Sequence, residues 1–385
     1  MQIQAPAMPA ISRRAKKNFI INPMLLLWSL FIFLTPILIT ESGKPQPANF
    51  VVALLFGFMV LDFRYHISPK NRTNALFFTL LLFYMVLVNL IVFTFNVGID
   101  GIFYSFFYLH NLMLVWIVFY LYQKYQRLFL IYTTLAIAFT LAVQVLLAVF
   151  YFGINIGRSV MFFNNPNQLG YWALLVCSLY FIATNRLGFL GYLRLFVYMA
   201  SMFMAVLSLS KAAMGGVVIL LGIYYLRKPV YLIIAIPLML LALGYAIESD
   251  SILVENVQKR LVTLGNQDDD SLAGRGYDRI WLNPQYLLFG AGEGYFHRFI
   301  SFWHGELHSI WGTMLFCYGF VGFVLFLLLL IRIVTVGGWS YFIFLLPVFA
   351  YGITHQGLRT PLFWVCLAVT LLDGEANRGR QHREA

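Results

Sequence analysis

Long apolar runs alternate with short polar breaks along most of this 385-residue chain. The runs fall near 19–40, 49–63, 75–95, 102–122, 128–152, 168–184, 195–209, 213–226, 230–247, 308–331, 339–353 and 361–372. A helix needs about 20 predominantly apolar residues to cross the hydrocarbon core of a bilayer, and only helices and closed barrels satisfy every backbone group there. The runs are continuous and lack the apolar–polar alternation of barrel strands. The pattern predicts an all-α, polytopic membrane protein of about twelve transmembrane helices, the shorter ones tilted, broken or held among neighbours.

Composition narrows the class further. With 61% hydrophobic and 11% charged residues, the surface of a soluble globule could not be covered. The basic "RRAKK" at 13–17 precedes an apolar run too long for a signal-peptide core, and we read that run as an uncleaved first helix. A net charge of +11 raises nucleic acid as a partner. Its distribution argues for topology instead. With a cytoplasmic N-terminus, 17 of the 26 basic residues fall in inside segments and nine outside, as the positive-inside rule requires. The partner is then the lipid bilayer and not nucleic acid. Cys177, Cys317 and Cys366 all lie within apolar runs without metal-site spacing, so they read as packing residues.

One connection is out of proportion. Residues 1–247 carry nine predicted helices, 308–372 carry three, and 373–385 form a cytoplasmic tail whose "EANRGRQHREA" (375–385) is expected to be disordered. Between them lies a loop, 248–307, on the outer face before the tenth helix, and a connection of that length is usually functional. It holds five of the nine outside cations, and it runs through "GRGYDRIWLNPQYLLFGAGEGYFHRFISFWHGELHS".

Several features of the loop carry chemistry, each beside a plainer reading. Asp268 to Asp270 suggest a hard-cation site, but they lack the alternation and closing glutamate of a calcium loop and equally suit a turn or helix cap. Arg275 and Arg279, four apart, would share one helix face and could hold a polyanion; the alternative is a surface pair matched with Asp278 and the aspartate run. Gly290, Gly292 and Gly294 permit positive φ and close approach to the backbone, without the βαβ setting of a dinucleotide fingerprint. They predict a turn that brings Glu293 and Arg298 toward Glu306 and His308. His308, at the mouth of the tenth helix, suits a general base, with Glu306 beside it; a lone interfacial histidine would otherwise be an anchor. His297 and His304 belong to an aromatic segment suited to the membrane surface, and the three histidines lack the HxxxH or HExxH spacing of zinc ligands, so no metal is assigned.

Taken in order, "GRGYDRIWLNPQYLLFGAGEGYFHRF" and "ELHSIWGTMLFCYGFVGFVLF" resemble the O-antigen ligase and O-antigen polymerase superfamily of bacterial envelope enzymes. "FNNPNQLGYWALLV" (163–176) and "SLSKAAMGG" (208–216) resemble two further segments of that family. The resemblance spans about residues 155–330. It implies a GT-C-like, metal- and cofactor-independent glycosyltransferase of the bacterial inner membrane, with both termini cytoplasmic and the active site periplasmic. Its substrate would be an undecaprenyl pyrophosphate-linked oligosaccharide, with a chain-length regulator and a flippase as further partners. His308 matches the family's loop histidine, and Arg275 or Arg279 its loop arginine. With Glu306, these are the expected catalytic residues. Arg298, Glu293, Lys211, Arg158, Gly290 and Gly292 are expected to bind pyrophosphate or glycan. Lys211 stands where many members carry arginine, and a lysine lacks the bidentate fork. From Arg279 to Gly290 ten residues intervene, as in polymerases; from Arg158 to Gly170 eleven do.

The spacing favours a polymerase, which joins one lipid-linked repeat to another, over a ligase, which transfers the finished chain to a lipid A core or another acceptor. A transporter or flippase is a reading of another class; it would place charges inside the membrane plane, whereas here they gather in the loop.

Overall fold

The computed structural model describes residues 22–40, 44–62, 67–96, 100–153, 158–188, 190–226, 274–302 and 304–384. Helix makes up 79% and no strand occurs among the described residues, so the class is all-α. The ninth predicted helix (230–247), the "RRAKK" segment, Asp268 to Asp270 and Trp303 lie outside the described residues.

The apolar runs become α1 (Pro23–Leu34), α2 (Pro47–Leu61), α3 (Pro69–Asn96), α4 (Asp100–Tyr125), α5 (Arg127–Leu147), α6 (Pro166–Leu187), α7 (Arg194–Ser208) and α8 (Lys211–Leu226). After the one-turn α9 (Arg279–Leu282) follow α10 (Ile310–Cys317), α11 (Gly319–Arg332), the one-turn α12 (Trp339–Phe342), α13 (Leu346–Thr354) and α14 (Pro361–Glu384). Proline opens α1, α2, α3, α6 and α14, where its missing N–H costs nothing and its fixed φ suits the first turn. Asn22 and Asn165 cap α1 and α6 by accepting from the amides of Met24 (3.0 Å) and Asn167 (2.8 Å).

Two helices form the centre. α6 is buried along almost its whole length, and residues Leu362 to Leu372 of α14, which packs on α6 and α4, are buried on every face except for small residual exposure. Outer helices instead turn Phe50, Phe83, Phe106 and Phe139 outward, as lipid-facing surfaces do. Among the described residues, four segments are long and apolar enough to cross a membrane, at Pro69–Phe95, Ile102–Tyr125, Arg127–Phe152 and Gly319–Gly337. Shorter apolar helices accompany them, such as Pro23–Leu34 and Pro47–Leu61. The protein is a helical membrane protein on these grounds.

Two expectations change. The run 308–331 is not one helix: it breaks at Tyr318–Gly319, where Gly319 takes φ +65°. The tail expected to be disordered is the second half of α14. Three of its polar residues are held by the bundle: Asp373 accepts from the Tyr122 hydroxyl (2.8 Å), Glu375 pairs with Lys70 (3.0 Å), and Arg378 donates to the Thr335 carbonyl. Those bonds, and a composition rich in good helix formers, carry the helix past the apolar core.

Candidate functional site

The second half of the large loop is fastened to the break between α10 and α11. The amides of Ala291 and Gly292 donate to the carbonyls of Phe316 (3.0 Å) and Cys317 (2.8 Å), and those of Phe320 and Val321 return to Leu287 (2.6 Å) and Leu288 (3.3 Å). Such an approach leaves no room for side chains. Gly290, Gly292 and Gly294 have φ of +98°, +68° and +91°, and a Cβ on Gly290 would fall on the Cys317 carbonyl. The positive φ expected of these glycines is present, but at Gly290 the backbone that approaches is the chain's own rather than a ligand's.

This hook delivers Glu293 into the bundle. Its amide donates to Asn89 (2.8 Å), and one carboxylate oxygen accepts from the hydroxyls of Tyr108 and Tyr318, the latter at 2.5 Å. The second oxygen lies 3.5 Å from Nε of Arg359, which comes from the turn between α13 and α14. Arg359 also donates to Glu306 and rests 4.9 Å from the centre of the Tyr104 ring, whose hydroxyl donates to the same Glu306 (3.3 Å). The expected convergence of Glu293 with Glu306 is therefore present, with Arg359 between them.

Ser309 sets the position of His308. Its hydroxyl accepts from the Gly312 amide (3.0 Å) and starts α10, and the His308 amide is held by the Arg275 carbonyl (3.0 Å). Arg275 does not share a helix face with Arg279, because it precedes α9. Its guanidinium donates to the Thr354 carbonyl (2.5 Å), at the end of α13. Arg279 is fully buried, donating to Ser301 (3.2 Å) and the Gly305 carbonyl (2.5 Å) beside the rings of Phe296 and Phe299. Arg298 bonds the Ala291 carbonyl and lies over the Phe299 ring. These two arginines bond carbonyls of the loop itself, apart from the Arg275 guanidinium.

Glu306, His308, His355, Gln356, Arg359 and Lys44 line a cavity of about 340 Å³. Asn164, Asn165, Asn167 and Gln168 of the "FNNPNQLGYW" segment, with Trp172, Asn49 and His110, line it as well, and Phe31, Leu38, Phe107 and Leu362 make it partly apolar. Segments more than 100 residues apart thus meet in one space. Arg158 supports it by donating to Asn167 (2.6 Å), whereas Lys211 opens α8 and is not among the lining residues. His355 stacks on Tyr351 (4.4 Å), which stacks on Tyr171 (4.5 Å).

The charges on this wall are tuned by burial and by one another. Burial raises the Glu306 carboxyl, but the Arg359 guanidinium outweighs it and holds the group below its ordinary range. His308 is pushed down, first by burial and then by Arg275, Arg359 and Arg279, with Glu306 opposing. His355 falls to about 3 through burial and the nearby Arg275, His308 and Arg158. Burial raises Glu293, opposed by Arg359 and its two tyrosines, and the two carboxylates raise Arg359 despite its burial. At neutral pH the wall therefore carries an ionised Glu306, neutral imidazoles and a charged guanidinium. It can accept a proton and neutralise an anion within one cavity.

Arg359, His355 and Gln356 were not picked out from the sequence. The available signal was a polar cluster, "THQGLRTP", squeezed between two apolar runs. Among the described residues no three His, Cys, Asp or Glu side chains are grouped to hold a metal ion. Compared with known proteins, the chain matches no family model and no curated sequence.

Proposed function

We propose that the chain is a membrane-embedded glycosyltransferase of about twelve spans and GT-C-like form. In this reading it is a polysaccharide polymerase, of the O-antigen or exopolysaccharide kind, at the periplasmic face of the bacterial inner membrane. It transfers a glycan from undecaprenyl pyrophosphate to a sugar hydroxyl of another lipid-linked repeat. The single observation that carries the reading is the cavity that Glu306, His308 and Arg359 line together with carboxamides and aromatic rings.

Each part of that wall suits a part of the substrate. Carboxamides such as Asn164 and Gln168 both donate and accept, as sugar hydroxyls do, and Trp172 offers a ring face to a pyranose. The apolar lining suits the first units of a polyprenyl tail. The attacking hydroxyl is positioned and deprotonated by Glu306 or His308, both poised in their basic forms. The pyrophosphate leaves with its electron pair, and the guanidinium on the wall stabilises the charge that develops.

The test is to give the purified full chain an undecaprenyl pyrophosphate-linked oligosaccharide and separate the products on a gel. A ladder of longer lipid-linked glycans is the expected result. Transfer that needs an added lipid A core would make the protein a ligase, and no transfer to either acceptor would overturn the reading.

A further inference from the structure

Arg359 is held by two carboxylates: it hydrogen-bonds Glu306, the closer partner, and lies 3.5 Å from Glu293, but the two differ in exposure and in how many other groups hold them. Glu293 is 2% exposed and fixed at both oxygens and at its amide by Tyr108, Tyr318, Arg359 and Asn89. Glu306 is 33% exposed, lines the cavity, and has the Tyr104 hydroxyl at 3.3 Å as its other hydrogen-bond donor. Arg359 and Lys44 line the cavity as well, but Glu306 occupies the Arg359 guanidinium and repels an anion while that carboxylate stays in place. A guanidinium matches phosphate oxygens as well as it matches a carboxylate.

We propose that Arg359 is an exchangeable cation: it stays anchored on Glu293, trades Glu306 for the donor's pyrophosphate, and thereby frees Glu306 to take the proton of the attacking hydroxyl. This rests on the glycosyltransferase reading above and deepens it by assigning the coupling between donor binding and base activation. The step balances. The acceptor oxygen forms a bond to the anomeric carbon and its proton passes to Glu306. The bond from that carbon to the pyrophosphate oxygen breaks, and its electron pair remains on the oxygen that Arg359 contacts.

Exchange also sets the timing. The groups facing Glu306 are Arg359 from the α13–α14 turn, Tyr104 from α4, and His308 and Glu293 from the loop. Arg359 is the one that most strongly holds the Glu306 carboxyl low, so losing it to the pyrophosphate makes Glu306 a better base only when a donor is bound. Glu293 is in this scheme a positioning residue, acting through Arg359.

The decisive property is competition. A carboxylate that must be displaced weakens anion binding, so neutralising it should strengthen binding. Inorganic pyrophosphate serves as probe, titrated calorimetrically into the full chain in lipid nanodiscs with chelator present. Glu306→Gln should bind it about tenfold more tightly than wild type, and Arg359→Gln about tenfold more weakly. The double variant should show no tightening over Arg359→Gln, because the gain runs through Arg359. Glu306→Ala and Arg359→Lys serve as second variants should either glutamine variant fail to fold. Unchanged or weaker binding in Glu306→Gln, or tightening that survives in the double variant, overturns the exchange. The two proposals fail distinguishably: a ladder of products without the tightening removes only the exchange, whereas tightening without any glycan transfer removes the glycosyltransferase reading and the base step with it, and leaves only the competition of Glu306 and an anion for Arg359.

Discussion

The two ends of the bundle solve the same problem in different ways. Each buries a carboxylate against tyrosine and arginine: Glu293 with Tyr108, Tyr318 and Arg359 at one end, Asp373 with Tyr122 and Arg186 at the other. Tyr108 and Tyr122 both belong to α4, about 21 Å apart along its axis. At the Asp373 end, Arg186 lies 3.4 Å from a fully buried carboxylate and 3.3 Å from the Tyr122 hydroxyl; it also lines a cavity of about 490 Å³ with Lys70, Gln123 and Glu375, and the group ties α14 to α4 and α6. At the Glu293 end, the arginine has a second carboxylate that faces a cavity lined with histidines, carboxamides and aromatic rings. A buried charge cluster is weak evidence of either stability or function by itself. What separates these two is whether the arginine has a partner that an incoming molecule can replace.

The largest expected effect breaks that contrast directly. Arg359→Gln should lower the rate of glycan transfer by about 10²–10³, the range for removing one charge-stabilising donor. Arg186→Gln, the same change at the other end, should leave the rate per folded molecule within about threefold and lower the unfolding temperature instead. Initial rates and thermal unfolding on both variants check this. Equal losses of rate would remove the distinction between the ends.

Next comes the hook. Gly290→Ala would force an L-residue into φ +98° with its Cβ on the Cys317 carbonyl. It should cost about 2–4 kcal/mol in local or global stability and detach Glu293 from its tyrosines. Protease sensitivity between 284 and 300, compared with wild type, reads this out.

A smaller effect is the pH profile. Glu306 is held below its ordinary carboxyl range and His308 below its ordinary 6.5, so both are in their basic forms at neutral pH. Rates should hold steady from pH 7 upward and fall only as acid protonates these groups below pH 6.5. An acid limb centred at or above pH 7 would contradict the assignment.

The smallest effect on activity belongs to Asp373→Asn. It keeps the shape and one acceptor but removes the charge opposite Arg186, so about 1–3 kcal/mol of stability should go while transfer is unchanged. A matching loss of activity would make the second cluster part of the site.

Much of the fold was legible because apolar runs and helix-opening prolines are local signals. The runs near 75–95 and 102–122 became α3 and α4 with only their ends extended. The break at Tyr318–Gly319 was not legible: the run is uninterrupted, and the turn exists because Leu288 and Gly290 occupy the space a Gly319 side chain would need. The helical tail escaped for a similar reason, since Asp373 and Glu375 gain their partners from α4, α6 and α3. Within the site, Glu293, Glu306 and His308 stood out as titratable groups in an apolar chain. Arg359 did not, because its partner Glu306 is 53 residues away, and nothing local marks Tyr108 and Tyr318 among 23 tyrosines. The surroundings of Arg279 were not legible either, because spacing along the chain does not say whether a guanidinium faces a cavity or, as here, a carbonyl of its own loop.

The most direct measurement is extension of an undecaprenyl pyrophosphate-linked oligosaccharide by wild type, Arg359→Gln and Asp373→Asn, run side by side. The account predicts a product ladder from wild type and Asp373→Asn and, over the same time, none from Arg359→Gln. A ladder from Arg359→Gln as fast as that of wild type, or none from wild type, would contradict it.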